Sequence, residues 1–215
     1  WLPHDNRKML EAMDKVALLP LDVTDTSSVQ RMAAELGGKT DILVNNAQYL
    51  RPGSVGARGG TAQAAQEIEV NYLGLMRLVQ AFGPAMASRA ADGDNSATAW
   101  VNVLSVYAMQ NWPAYGPFSA SQAAARSLSQ NMRAEFRASG MRVMNVYAGP
   151  TDDDWHQPLP PPKVAPAALA RSVVLGLREG LEEVYCGDVA QDLAIRFREN
   201  PGQLEREMTA AGDAP

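Results

Sequence analysis

Short runs of apolar residues rich in β-branched side chains alternate along the chain with longer stretches in which apolar positions recur every three to four residues. The short runs predict buried strands, and the longer stretches predict amphipathic helices. The predicted strands are 16–23, 41–46, 99–104, 142–147 and 183–186. The first predicted helix starts at Ser27, where Gln30 gives a capping-box spacing. The other predicted helices span 61–90, 118–138, 167–178 and 189–198. This alternation is typical of an α/β fold, a doubly wound parallel sheet in one domain over residues 1–215.

Turn-forming residues separate the predicted elements. Gly37 and Gly38 end the first helix, residues 48–60 form a Gly-rich loop, and the sequence Asp-Gly-Asp-Asn at 92–95 ends the long second helix. The proline-rich stretch 158–162 predicts a rigid surface connection rather than a motif for a partner protein.

Composition and charge exclude several classes of protein. With 46% hydrophobic and 20% charged residues the chain is an ordinary globular protein. Its 19 basic and 24 acidic residues give a net charge of −5. The chain lacks the basic face that nucleic-acid binding requires, so we expect no nucleic-acid partner. No apolar run approaches the roughly 18 residues that cross a bilayer, and the first residues carry no signal-peptide pattern. We therefore expect no membrane partner and a cytoplasmic location.

Cysteine and histidine are too scarce for a disulfide framework or a Cys/His zinc site, because the chain has one cysteine, Cys186, and two histidines. Cys186, in the last predicted strand, is expected to be a small buried apolar residue. The run Asp152-Asp153-Asp154 near His156 suggests a cation site. Consecutive carboxylates on a loop point in different directions, however, so we predict a solvated loop and no metal.

Polar residues follow the predicted strands at the edge where open α/β sheets bind ligands. In order and spacing they resemble the short-chain dehydrogenase/reductase family, whose members use a Rossmann-type sheet to transfer hydride between NAD(P) and an alcohol or carbonyl. The match covers essentially the whole chain. It implies a small-molecule substrate, NAD or NADP as cofactor, and a homo-oligomer, a dimer or tetramer.

The resemblance assigns cofactor contacts to four positions. Asp22, in Leu-Asp-Val-Thr-Asp, matches the acidic residue at the adenine, and Asn45 and Ala47 match the Asn-Asn-Ala-Gly turn beside the adenosine, although Gln48 replaces its glycine. Gly149 belongs to a turn that in the family lies at the nicotinamide carboxamide, with Ala148 in place of its proline.

Two further positions match catalytic residues of the family. Asn71, in Val-Asn-Tyr-Leu-Gly, matches the helix asparagine that holds a catalytic water. Ser105 matches the serine that orients the substrate. Without the family pattern, both would be interpreted as ordinary turn or helix residues.

The family's Tyr-x-x-x-Lys pair is missing, because Phe118 aligns with the tyrosine and Gln122 with the lysine. The chemistry needs a phenol that gives a proton to the carbonyl oxygen, and an ammonium that lowers the pKa of that phenol and binds the ribose. Phenylalanine has no proton to give, and glutamine is neutral, although its amide can still donate to the ribose. We therefore expect weak or absent NAD(P) binding at Gln122. Tyr115 and Tyr107 are the candidates for a replacement acid. We expect each of them, however, to be a packing or substrate-lining aromatic residue instead.

The family's Gly-x-x-x-Gly-x-Gly turn is also absent from the sequence. In the family's sheet order, two further strands lie between the strands matching 16–23 and 41–46. The sequence alone therefore predicts a sheet that lacks its first two strands, so we expect the chain to be a fragment that does not fold cooperatively without the segment that supplies them.

Three functional hypotheses remain open at this point. The first is a family member with a lost proton relay, acting as a pseudoenzyme or with a non-classical activity on a small carbonyl or alcohol compound. The second is an active NAD(P)-dependent oxidoreductase that uses another acid. The third is a scaffolding subunit that pairs with an active paralogue through helices 70–89 and 118–138.

Overall fold

The computed structural model describes residues 4–56, 60–92, 98–154, 156–157, 159 and 162–212. Four strands form one sheet within that part of the chain, and each pairs with its neighbours in parallel and in sequence order. They are β1 (Ile42–Asn45), β2 (Ala99–Ser105), β3 (Arg142–Ala148) and β4 (Glu183–Cys186). The predicted α/β class is confirmed, and each of these strands lies within one residue of its predicted bounds.

Eight α-helices connect or flank the strands in the described ranges. They are α1 (His4–Glu11), α2 (Thr26–Leu36), α3 (Ala62–Ile68), α4 (Leu75–Ala91), α5 (Gly116–Phe136), α6 (Pro166–Glu179), α7 (Gly187–Glu199) and α8 (Pro201–Gly212). A π-helical segment, Glu69–Gly74, joins α3 to α4, so the predicted helix over 61–90 is confirmed with one wider turn inside it. The first and last helices were not predicted. The turn after Asp92 and most of the proline-rich stretch lie outside the described residues.

The predicted strand over 16–23 is wrong, because this segment has no strand conformation in the structure. A strand requires a neighbour for its backbone hydrogen bonds, and β1 pairs with β2 alone among the described residues. Pro20 also removes a donor from the segment. Val16 and Leu21 consequently remain 39% and 43% exposed.

The end of that segment is nevertheless fixed against the fold. The backbone N–H of Asp22 donates to Ser28 Oγ at 3.0 Å, and Arg77 donates to the Val23 carbonyl at 3.3 Å. The Val23 side chain packs directly against Gly74. A β-carbon at Gly74 would lie only 2.9 Å from Val23 Cγ2, so a larger residue there would clash with it. These contacts hold Asp22 beside the sheet.

The N-terminus of α2 differs from the predicted capping box. Its cap is Asp25, whose carboxylate accepts from the Ser27 N–H at 2.8 Å. An aspartate cap satisfies a free N–H of the first turn and adds negative charge at the positive end of the helix. The helix therefore begins at Thr26, one residue before the predicted start, and it ends before Gly37 as predicted.

Both faces of the sheet are covered by hydrophobic clusters, which is the doubly wound arrangement expected. The larger cluster packs residues of α2, α4 and α5 against Trp100 and Tyr147. The smaller one centres on Val101, Val146 and Cys186 and contacts α6. Cys186 is buried, as predicted. Within the ranges described, no helix combines the length and the apolar character needed to cross a membrane.

Candidate active site

A cleft of about 1100 Å³ lies at the carboxyl ends of β1, β2 and β3. Parallel strands bring the residues that follow them to one edge, and the sheet register pairs Ser105 with Ala148 there. Six of the ten residues considered for a catalytic or cofactor role line this cleft: Asp22, Ala47, Ser105, Tyr107, Phe118 and Gly149. The carboxyl edge of the sheet therefore gathers most of the predicted site.

Four other candidate residues do not line the cleft: Asn45, Asn71, Tyr115 and Gln122. All four are at most 8% exposed. Their assigned roles in catalysis or cofactor binding remain predictions that rest on the resemblance.

Phe118 and Gln122 lie one turn apart near the start of α5. The Phe118 ring forms part of the cleft wall and meets the Tyr107 ring edge-on, with 6.4 Å between ring centroids. Gln122 Oε1 accepts from the Ser105 N–H at 2.9 Å. Gln122 thus links α5 to the end of β2, while the nearly fully buried Phe118 side chain contributes an apolar part of the cleft wall.

The two tyrosines near Phe118 are buried among aromatic rings. Trp112 contacts both, with centroid distances of 5.1 Å to Tyr107 and 5.4 Å to Tyr115. Burial raises the pKa of both phenols, and the neighbouring Tyr115 raises the pKa of Tyr107 further. A phenol with a raised pKa holds its proton more tightly, whereas the family chemistry needs a lowered pKa.

Asp22 presents an ionised carboxylate to the cleft. Its Oδ1 accepts from the Thr24 hydroxyl at 2.7 Å and from the Thr24 N–H at 2.9 Å. These two bonds lower the pKa of Asp22. The acidic turn predicted from the sequence therefore forms an acceptor at one end of the cleft, although no strand precedes it.

The loop after β1 is fixed by Asn71, in the π-helical segment, and by its own residue Gln48. Asn71 Oδ1 accepts from the Tyr49 N–H at 2.7 Å, and its Nδ2 donates to the Tyr49 carbonyl at 2.9 Å and to Ser121 Oγ at 2.8 Å. Gln48 Nε2 donates to the Val103 carbonyl at 2.9 Å. Asn71 therefore connects this loop to α5 from a π-helical turn, a geometry that recurs at functional sites.

Glu67 reinforces the same loop and was not predicted as a functional residue. It is fully buried, and its Oε1 accepts from the Arg51 N–H at 3.0 Å. Burial raises the pKa of Glu67 and outweighs the bonds that would lower it. No sequence signal distinguished this glutamate from the solvated acidic residues around it.

We expect Asn71→Ala to lower the free energy of unfolding by about 2 to 4 kcal/mol, because it leaves buried donors and acceptors at Tyr49 without partners. Asn131→Ala is the matched control, since Asn131 is an exposed helix residue with one hydrogen bond to the Ser127 carbonyl. Urea denaturation measures both variants. Equal losses in the two variants would show that Asn71 does not anchor the loop.

The loop after β3 is only partly the solvated loop that was predicted. Asp152 and Asp154 are exposed, whereas Thr151, Asp153 and His156 line the cleft and are hydrogen-bonded to one another. Burial alone would raise the pKa of Asp153, but the bonds from Thr151 and His156 hold it below its usual value. In the ranges that the structure describes, no three side chains of the metal-binding types gather into a cation site.

The family model for short chain dehydrogenases matches residues 4–163. A fold with polar residues at the carboxyl edge of a parallel sheet and a cleft above them is the architecture of that family. The chain belongs to the short-chain dehydrogenase family.

Individual relatives agree with this assignment. The short-chain dehydrogenase PC-15 of Penicillium crustosum is 34% identical over 152 residues, which are 67% of this chain and 52% of that protein. The L-2,3-butanediol dehydrogenase of Corynebacterium glutamicum is 32% identical over 152 residues, covering 66% of this chain and 54% of that protein. The chain thus spans about half the length of the curated relatives it matches.

A solved structure extends the similarity over almost all of the chain. The short chain dehydrogenase of Burkholderia cenocepacia, crystallised in complex with NADP, is 31% identical and superimposes with a TM-score of 0.82. The match covers 94% of this chain and 81% of that protein. The Rossmann-type fold is therefore shown, and the likeness includes a relative that binds NADP.

Proposed function

We propose that this protein is a short-chain dehydrogenase homologue that has lost the classical proton relay and lacks ordinary carbonyl reductase activity. It acts as a pseudoenzyme or has a non-classical activity on a small carbonyl or alcohol compound. The observation that carries the proposal is the wall of the cleft at Phe118. A side chain that cannot give a proton lies there, and Gln122 is turned to the Ser105 backbone instead of the cleft.

The cleft still fits a nicotinamide dinucleotide at the adenosine end. Ionised Asp22 offers acceptors to hydroxyl or amine groups there, and Ala47 adds only a methyl group to the wall. Such a cofactor, when bound, supplies a hydride. The nicotinamide end has weaker support, because Gln122 brings no charge and its amide oxygen is already bonded to Ser105. We propose NAD or NADP as a weakly bound cofactor.

The rival proposal is an active enzyme that takes its proton from Tyr107 or Tyr115. Tyr107 favours it by lining the cleft. The raised pKa of both phenols argues against it, as does the position of Tyr115 outside the cleft wall. General acid catalysis contributes about 10² to 10⁴ in rate, so a true acid cannot be removed unnoticed.

We expect Tyr107→Phe and Tyr115→Phe to leave any NADPH-dependent turnover of benzaldehyde within about twofold of the unmodified protein, since neither removes a working acid. Each substitution keeps the ring and its packing, so the variants serve as matched controls for each other. Steady-state absorbance of NADPH measures the rate. A loss of tenfold or more in one variant would identify that tyrosine as the acid and refute the lost relay.

A further inference from the structure

Thr151, Asp153 and His156 form a hydrogen-bonded group on the loop that follows β3. The loop is held to the chain ahead of α6, where the Asp152 N–H donates to the Val164 carbonyl and the Val164 N–H donates to the Pro150 carbonyl, both at 2.8 Å. His156 is partly buried, with 23% of its side chain exposed. The loop that carries the imidazole is therefore anchored, and the imidazole itself lines the cleft.

The hydrogen bonds orient the imidazole through its Nδ1 atom. Asp153 Oδ1 lies 2.8 Å from His156 Nδ1 and 3.0 Å from the His156 backbone N–H. The Thr151 hydroxyl bonds Asp153 Oδ2 and lies 2.9 Å from the same ring nitrogen. An ionised carboxylate beside Nδ1 favours the tautomer with its proton on Nδ1, because the carboxylate can only accept.

That arrangement leaves the other ring nitrogen for chemistry. His156 Nε2 makes no hydrogen bond to any residue that the structure describes. The cleft that His156 lines also contains Ser105, whose hydroxyl accepts from the Tyr107 N–H at 3.3 Å and has its own proton to donate. A carboxylate that orients a histidine and stabilises its charged form is a recurring feature of acid–base sites.

We propose that His156, positioned by Asp153 and Thr151, is the acid–base group of this cleft and exchanges a proton at Nε2 with the oxygen of a carbonyl or alcohol ligand. The ligand class rests on the proposed function. In the reduction of a carbonyl, a reduced nicotinamide would supply the hydride, and the proton that completes the alcohol would leave Nε2 of the imidazolium, which would become neutral. Oxidation of an alcohol reverses both transfers. His156 thereby favours a non-classical activity over a pseudoenzyme.

The first test needs neither ligand nor cofactor. The chain has two histidines, so ¹⁵N labelling of histidine gives two sets of ring signals, and His4→Gln identifies those of His156. At alkaline pH we expect His156 to carry its proton on Nδ1 and a lone pair on Nε2. Asp153→Asn should shift the proton towards Nε2, because the anionic acceptor is gone. A proton on Nε2 of His156 in the unmodified protein would overturn the proposal.

The second test measures turnover of benzaldehyde at saturating NADPH. We expect His156→Gln to lower kcat by about 10² or more with the KM for NADPH unchanged, and His4→Gln to have no effect. Asp153→Asn should lower kcat less, in step with its tautomer shift. An unchanged kcat in His156→Gln, or no turnover by the unmodified protein, would overturn the role of His156. If the unmodified protein shows no turnover, the proposal that the classical relay is lost still holds. A rate that depends on Tyr107 would refute that proposal as well.

Discussion

Phe118→Tyr combined with Gln122→Lys should raise NADPH-dependent reduction of aldehydes at least about 10²-fold over the unmodified protein. Phe118 is one of the residues that line the cleft, so a tyrosine at this position brings a phenol to the cleft wall. Its pKa is near 10 without help, and the lysine ammonium at 122 is needed to lower it. The two substitutions together restore the tyrosine and the lysine of the family's pair, one turn apart on α5.

The gain should be strongly non-additive. Phe118→Tyr alone adds a phenol whose pKa is not lowered, and Gln122→Lys alone adds a cation with no phenol beside it. Gln122→Lys also removes the acceptor of the Ser105 N–H, which costs about 1 to 3 kcal/mol of stability. Circular dichroism of each variant therefore accompanies the rates. If the folded double variant is no faster than the singles, the cleft does not have the geometry of the classical reaction.

The second large effect concerns the cofactor. We expect the unmodified protein to bind NADPH with a dissociation constant weaker than micromolar, and Gln122→Lys to tighten it by about ten- to a hundredfold. A charge-assisted hydrogen bond to the ribose stabilises a complex by about 1.5 to 3 kcal/mol, which corresponds to that range. Isothermal titration calorimetry measures both constants.

Gln122→Met is the matched control for this titration. It also removes the acceptor of the Ser105 N–H, but it adds no charge. Affinity should therefore rise in the lysine variant alone. Micromolar or tighter binding by the unmodified protein, or equal affinities of the lysine and methionine variants, would contradict a cofactor site weakened at Gln122.

Much of the fold could be predicted from the sequence because its signals are local. The apolar runs of β2 and β3 and the helical periodicity of α5 lie within single elements. The segment 16–23 has the same kind of apolar run, yet it forms no strand. A strand depends on a neighbour elsewhere in the chain, and periodicity within a segment carries no information about that neighbour.

The location of the site at one edge of the sheet could be predicted from the sequence, but most of the hydrogen bonds within it could not. Residues at the ends of parallel strands had to meet at one edge, and Ala47, Ser105 and Gly149 do line the cleft. The partners of Asn71 lie 22 and 50 residues away along the chain, so its three hydrogen bonds had no sequence signal.

The cluster at His156 was missed for a different reason. Consecutive carboxylates were expected to diverge, and only Asp153 of the three was needed to meet the histidine. The turn from Thr151 to His156 brings both side chains onto this one carboxylate. Such a turn depends on the contacts of its loop with Val164, which lie outside the local sequence pattern.

The central claim is that this family member has lost the tyrosine–lysine relay, and the ratio of two rates tests it most directly. Aldehyde-dependent oxidation of NADPH is measured at saturating cofactor for the unmodified protein and for the Phe118→Tyr, Gln122→Lys double variant. A lost relay predicts that the unmodified protein is at least about 10²-fold slower. Equal rates would show that the unmodified protein already reduces aldehydes as fast as the variant with the tyrosine–lysine pair, and would contradict the account.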